Sequence, residues 1–250
     1  MKRTIVFLYG FIAYLLGLAS LTYWVGFMAD FHFLPKTINS GVAASLPEAL
    51  LINLGLMLLF GFQHGIMARK SFKTSLTKFI PQAAERSTFV LASAVCLIAI
   101  MAFWRPIPAT VWHVESGAFS AVLLGIFYLG WALLFGGSFV INHFELFGLQ
   151  QIYFNLRGKE FVDIKFKQPF LYKIVRHPMM LGVTLAIWST PYMTVSHLFF
   201  SLLMSLYLLV GLYYEERDLV ARYGDRYRTY SEQVPRLFPK LTKKEQTQTA

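Results

Sequence analysis

Six apolar runs occupy residues 5–28, 49–67, 87–103, 119–141, 178–195 and 197–214. Runs of this length leave few options. In hydrocarbon every backbone N–H and C=O needs a partner within the protein, a need that a helix meets within its own segment. These runs are continuous rather than alternating, and about 17–25 such residues span a bilayer as a helix. The first and fourth are comfortably long. The fifth and sixth lie near the lower limit, which predicts either crossing with little tilt or a hairpin that does not cross fully. With 56% hydrophobic and 14% charged residues, a soluble domain is excluded. The expectation is an all-α integral membrane protein with five to six transmembrane helices. It forms one domain over residues 1–239, followed by a polar, disordered tail at 240–250. The N-terminus imitates a secretory signal, with Lys2 and Arg3 before an apolar core. That core continues to Met28 with no polar cleavage region, so it reads as a retained first helix.

The formal charge of +10 has a topological cause. Of the 23 Lys and Arg residues, 21 fall before the first run, between runs 2 and 3, between runs 4 and 5, or after run 6; only Lys36 and Arg105 fall on the other side. The positive-inside rule then places both termini in the cytoplasm. It makes anionic membrane lipid, not nucleic acid, the neighbour of the basic surface. Trp104 and Trp112, near the outer ends, are expected in the interfacial aromatic belt. The long inner loop 142–176 mixes aromatic and polar residues. It can lie along the membrane as a cap over a site, or serve as a plain connector. After Tyr214 the last helix should continue into water, with Asp218 and Arg222 paired at i,i+4. Gly224 should end it, and Asp225 should cap a second helix to about Gln233.

Ionisable groups at the edge of a membrane bundle are costly and therefore candidates for chemistry. If runs 5 and 6 form an antiparallel pair, Arg176-His177 and Glu215-Glu216 meet at the inner surface. Adjacent helical residues point about 100° apart. One Glu should therefore face a ligand while the other takes a structural partner such as Arg217 or Arg222. Arg176, beside His177, can hold a carboxylate in a bidentate pair. Gln63-His64 and Asn142-His143-Glu145 end runs 2 and 4 on the same side, either capping helices or moving protons. No metal site is expected: the histidines lack ligand spacing and are accompanied by cations. The one cysteine, Cys96, allows neither an intrachain disulfide nor a thiolate cluster. Nothing in the sequence calls for an obligate protein partner.

Arg176-His177-Pro178 with Gly182, then Glu215-Glu216 with Leu219, then Gly224, Tyr227, Tyr230 and Val234-Pro235 resemble the isoprenylcysteine carboxyl methyltransferase superfamily of membrane enzymes. That resemblance implies S-adenosylmethionine as cofactor, held by Arg176, His177, Pro178, Gly182, Glu215, Glu216 and Tyr227 in a cytoplasmic site formed by the C-terminal hairpin and tail. A departure is Met180, where the family usually has Tyr. GFQHGIMAR at 61–69, ERSTFVLAS at 85–93, WRPIPATVW at 104–112 and INHFELFGLQQ at 141–151 look like the bacterial methanethiol S-methyltransferases. The narrower resemblance implies a bacterial cytoplasmic-membrane enzyme that methylates a small thiol, methanethiol, to dimethyl sulfide. A thiol acceptor needs a base, and His64 and His143 are the bases available on the inner face. A lipid or prenylated acceptor, or a non-catalytic or haem-linked membrane component, are the competing readings.

Overall fold

The computed structural model describes residues 2–161 and 168–239. The expected tail at 240–250 and the middle of the inner loop lie outside the described residues. Five helices are long and apolar enough to cross a membrane: α1 (Lys2–Met28), α2 (Leu46–Met67), α4 (Glu85–Phe103), α5 (Ala118–Ile141) and α9 (Val195–Tyr223). The chain is thus a mostly helical integral membrane protein. Shorter elements are α3 (Lys70–Leu76), α6 (His143–Leu146), α7 (Leu149–Leu156), α8 (Pro178–Trp188) and α10 (Asp225–Gln233). Strands β1 (Thr110–His113) and β2 (Tyr192–Thr194) complete the set. The long helices run between two ends, α1 and α4 away from and α2, α5 and α9 toward the basic end, which carries nearly all the cations; at the opposite end β1 and β2 pair as an antiparallel ribbon.

The fifth apolar run departs from a full span. Its helix, α8, has 11 residues, about 16 Å at 1.5 Å per residue against roughly 30 Å of hydrocarbon. The remaining distance is covered by extended chain ending in β2. Pro191 accounts for the early stop, since it disfavours helix at the residue before it and removes a donor. The freed backbone is satisfied by side chains: the Ile187 carbonyl accepts from His197 Nε2 at 2.9 Å and Ser201 Oγ at 2.7 Å, and the Thr190 carbonyl from Trp112 Nε1 at 3.0 Å. α8 lies closely along α5 because Gly182 faces Gly130. A Cβ at Gly182 would stand 2.5 Å from the Gly130 carbonyl oxygen. Gly182→Val should therefore force the helices apart and cost about 1–3 kcal/mol, read as a lowered unfolding midpoint in detergent.

The core lies toward the ribbon end, where Trp24, Trp104, Trp131 and Phe200 meet edge to face, with centroids 5.3–6.0 Å apart. Trp104 is fully buried, a correction to its expected place in the interfacial belt. Asn53 explains this: its side chain makes two 2.8 Å hydrogen bonds to the Arg105 backbone and turns the chain inward. Trp104 Nε1 then donates to Ser196 Oγ at 2.7 Å. Of the described parts of the inner loop, α7 packs against α1, with Ile152 filling the space at Gly10, while Tyr172 reaches the basic end, where its carbonyl accepts from Tyr230. At the basic end α9 runs to Tyr223 and stops at Gly224, whose φ of 57° is the left-handed conformation that glycine accepts without strain. α10 follows at once, but Asp225 is its first helical residue rather than its cap; Gly224 holds the N-cap position and no side chain caps the helix. Asp218, expected on Arg222, instead bonds Arg69 at 2.9 Å and ties α9 to the end of α2.

Candidate active site at the basic end

Three distant pieces of chain converge on one carboxylate. Arg176 and His177 precede α8, Glu215 and Glu216 lie in the last turns of α9, and Pro235-Arg236 follow α10. The backbone aligns them first. Arg176 N donates to the Pro235 carbonyl at 2.9 Å, and His177 N to the Arg236 carbonyl at 3.2 Å. Glu216 is the hub. Its Oε1 stands 2.7 Å from Arg176 Nη2 and 3.3 Å from His177 Nε2, and its Oε2 stands 2.5 Å from Arg236 Nη2. Arg176 also donates through Nη1 to the Ser231 carbonyl. Arg176 and His177 side chains are 10% and 5% exposed, and Glu216 is 12% exposed. Ion pairs this enclosed and charge-assisted bonds this short fix geometry firmly. Burial pushes the His177 imidazole below its ordinary value, with the Glu216 carboxylate pulling the other way.

The two adjacent acids thus divide, as their 100° separation requires, but Glu216 takes Arg176, Arg236 and His177 rather than Arg217 or Arg222. Glu215 remains 46% exposed, with His177 Nδ1 at 3.7 Å. Arg176 cannot offer a fork to a ligand, because its two terminal nitrogens are engaged; its Nε is buried without a partner. Tyr227 and Tyr230, both buried, meet edge to face with centroids 5.7 Å apart, and Tyr230 donates to the Tyr172 carbonyl at 2.5 Å. Burial raises the Tyr227 phenol and pushes that of Tyr230 up to about 12. Pro178 starts α8 beside His177, where a missing N–H costs nothing. Gly182 instead faces α5, as a packing residue. Sequence reasoning missed Arg236; the signal was its place between Pro235 and Pro239, where regular structure is blocked and a tail can double back.

His64 and His143 stand apart from this knot and from each other. Each is oriented by a serine in the same way. Ser93 Oγ donates to the Phe89 carbonyl at 2.9 Å, so it can only accept from His64 Nδ1 at 3.0 Å. Ser138 Oγ donates to the Phe135 carbonyl at 2.6 Å and accepts from His143 Nδ1 at 2.9 Å. Both rings therefore carry their proton on Nδ1 and a lone pair on Nε2. On His143 that lone pair is taken by the Tyr14 hydroxyl at 3.1 Å. The ring is 3% exposed and stacks on Phe139 at 4.1 Å; burial lowers its pKa. On His64, Nε2 has no hydrogen bond among the described residues. Its ring lies against Phe60 at 5.3 Å and Phe89 at 4.7 Å, with Tyr207 edge-on at 6.2 Å. Arg86 Cζ sits 4.7 Å from the centre of the same Phe89 ring. Asn142, as expected of a cap, accepts from the Glu145 N–H.

The chain matches the NnrU protein family over residues 51–236. It is 50% identical over 207 residues to a methanethiol S-methyltransferase of Pseudomonas deceptionensis, covering 83% of this chain and 79% of that one. It is 44% identical over 239 residues to one of Mycobacterium tuberculosis, covering 96% and 98%. More distant is a nurim homologue of Drosophila pseudoobscura pseudoobscura, 31% identical over 167 residues, covering 64% and 66%. No solved structure matches the chain. This chain belongs to the NnrU protein family and, with its relatives, to the methanethiol S-methyltransferases.

Proposed function

We propose that this protein transfers a methyl group from S-adenosylmethionine to methanethiol, releasing dimethyl sulfide, at the cytoplasmic end of a bacterial inner membrane. The observation that carries the reading is the division of labour at the knot. Glu216 pairs with three basic groups, and Glu215 is left half exposed beside His177. The groups present fit the cofactor. Glu215 supplies an anion for ribose hydroxyls or an ammonium, and Arg176 Nε a buried donor still lacking a partner. His177, Pro178 and Tyr227 form the wall around them. When bound, the cofactor supplies a sulfonium methyl whose leaving group is a neutral thioether. What the protein adds is position and exclusion of water.

The remaining task is to ionise a thiol. A cysteine thiol titrates at about 8.5, so a neutral acceptor benefits from a base. His64 has the lone pair for it. Its Nε2 takes the thiol proton while the sulfur forms its new bond to the methyl carbon, and Ser93 holds the ring as the charge develops. Arg86, on the same Phe89 ring, places a positive charge near the forming thiolate. His143, plugged by Tyr14, ties α1 to the end of α5. The test is to incubate the purified protein with methyl-labelled S-adenosylmethionine and a panel of thiols and prenylated thiols, and trap volatile products. Labelled dimethyl sulfide is expected; label appearing only in a lipid or prenylated product would overturn the assignment. Orientation has its own test. Reporter fusions at Ala250 and near Lys36 should report opposite compartments, and the same compartment for both would refute cytoplasmic termini.

A further inference from the structure

We infer that the acceptor thiol is held in a gap between α2 and α9, and that two glycines facing each other there restrict the acceptor to the smallest thiols. This rests on the reaction proposed above. Helices α2 and α9 both run toward the basic end, so they lie parallel. Their contacts keep step: Gly61 meets Tyr207, His64 meets Tyr207, and Arg69 meets Tyr214 and Asp218. One turn beyond Gly61 and Tyr207 on the same faces come Gly65 and Gly211, four residues on in each helix. A Cβ built on Gly61 already touches Tyr207 at 3.4 Å, whereas one built on Gly65 or on Gly211 meets nothing within 4 Å. Matched contacts above and below thus bracket a level at which neither helix fills the space.

The chemistry around this gap suits a small, uncharged thiol. His64, the residue before Gly65, brings an imidazole with a bare Nε2. Glu215, one turn beyond Gly211, brings the exposed acid of the cofactor site. The gap therefore lies between the proposed base and the proposed methyl donor. Aromatic rings of Phe60, Phe89 and Tyr207 surround the His64 ring beside it, and sulfur packs favourably against ring edges. Ile66 and Val210, the neighbours of the two glycines, are about half exposed on the lipid side. A thiol dissolved in the bilayer can enter laterally without crossing the charged knot. Glycine is the residue helices tolerate least apart from proline, so two of them at one level of a span have a cost that helix formation alone does not explain.

The substitutions that test this are ones a structural role would welcome. Ala at Gly211 and Leu at Gly65 both improve helix propensity and meet no atom at the Cβ. In full-length protein assayed with S-adenosylmethionine and methanethiol, ethanethiol or 1-propanethiol, Gly65→Leu should raise the methanethiol KM at least tenfold and abolish turnover of the longer thiols. Gly211→Ala should raise the methanethiol KM severalfold. S-adenosylmethionine affinity and the unfolding midpoint should hold or rise in both. Tyr207→Leu, which removes the ring beside His64, should raise kcat/KM for ethanethiol relative to methanethiol about tenfold. Wild-type KM values for every thiol in both glycine variants would overturn the gap as the acceptor site while leaving the reaction standing. A wild-type protein that forms no dimethyl sulfide overturns the reaction and the gap together.

Discussion

Replacing Glu216 by Ala is expected to lower stability by about 3–5 kcal/mol, the usual penalty for removing one partner of a buried ion pair. Glu216 is 12% exposed, and it is the carboxylate nearest to both Arg176 and His177, which are still more enclosed. Without it the tail at Pro235-Arg236 loses its anchor, and α8 loses the fixed start from which it runs along α5. Denaturant or thermal unfolding in detergent reads the loss, and limited proteolysis near Arg236 should accelerate. Glu215→Gln is the contrast: the half-exposed neighbour carries no arginine, so the fold should persist. Cofactor affinity should fall roughly tenfold or more, since a charge-assisted bond contributes about 1.5–3 kcal/mol. Equal effects on stability from the two substitutions would refute the division of labour. Acid should weaken the same region. The His177 ring is held below its ordinary value, so it contributes nothing adverse above about pH 6.5. Below that, the unfolded chain takes up a proton that the buried ring resists, and stability declines until the depressed folded value is passed.

His64→Ala should lower turnover about a hundredfold while leaving cofactor affinity and expression close to wild type. The deficit should shrink as pH rises toward the thiol's own ionisation, because the acceptor then needs no base. His143→Ala should behave differently. It leaves the Tyr14 hydroxyl and the Ser138 pocket unfilled, removing two hydrogen bonds and a stacked ring. The loss should appear as a lower unfolding midpoint, with a pH–rate profile parallel to wild type. A parallel profile for His64→Ala as well would remove His64 from the reaction.

Much of the fold is legible in the sequence because the forces that set it are local. Hydropathy marks six apolar runs, five of which are the spans, and Gly224 with Asp225 marks the break between α9 and α10. The short α8 is not legible from hydropathy, since residues 178–195 are apolar throughout. Pro191 was the available sign, but its effect depends on partners such as His197 and Trp112 that satisfy the interrupted backbone. The site is half legible. Charge and helix geometry bring Arg176, His177, Glu215 and Glu216 to one surface and require the two acids to differ in role. Which one is buried depends on the roll of α9, which no local rule fixes. The two histidines read alike in sequence because Tyr14, which separates their roles, lies 129 residues from His143.

The doubling back of Pro235-Arg236 onto Arg176-His177 has a consequence for how the protein is made. All five spans precede residue 224, so a nascent chain can insert its whole membrane bundle before the strand that completes the knot has been synthesised. Until then Glu216 has two of its three basic partners, and the backbone N–H groups of Arg176 and His177 lack their carbonyl acceptors. The knot is thus completed only after the bundle that carries it. A message truncated between codons 224 and 235 would yield the whole membrane bundle with the knot left open.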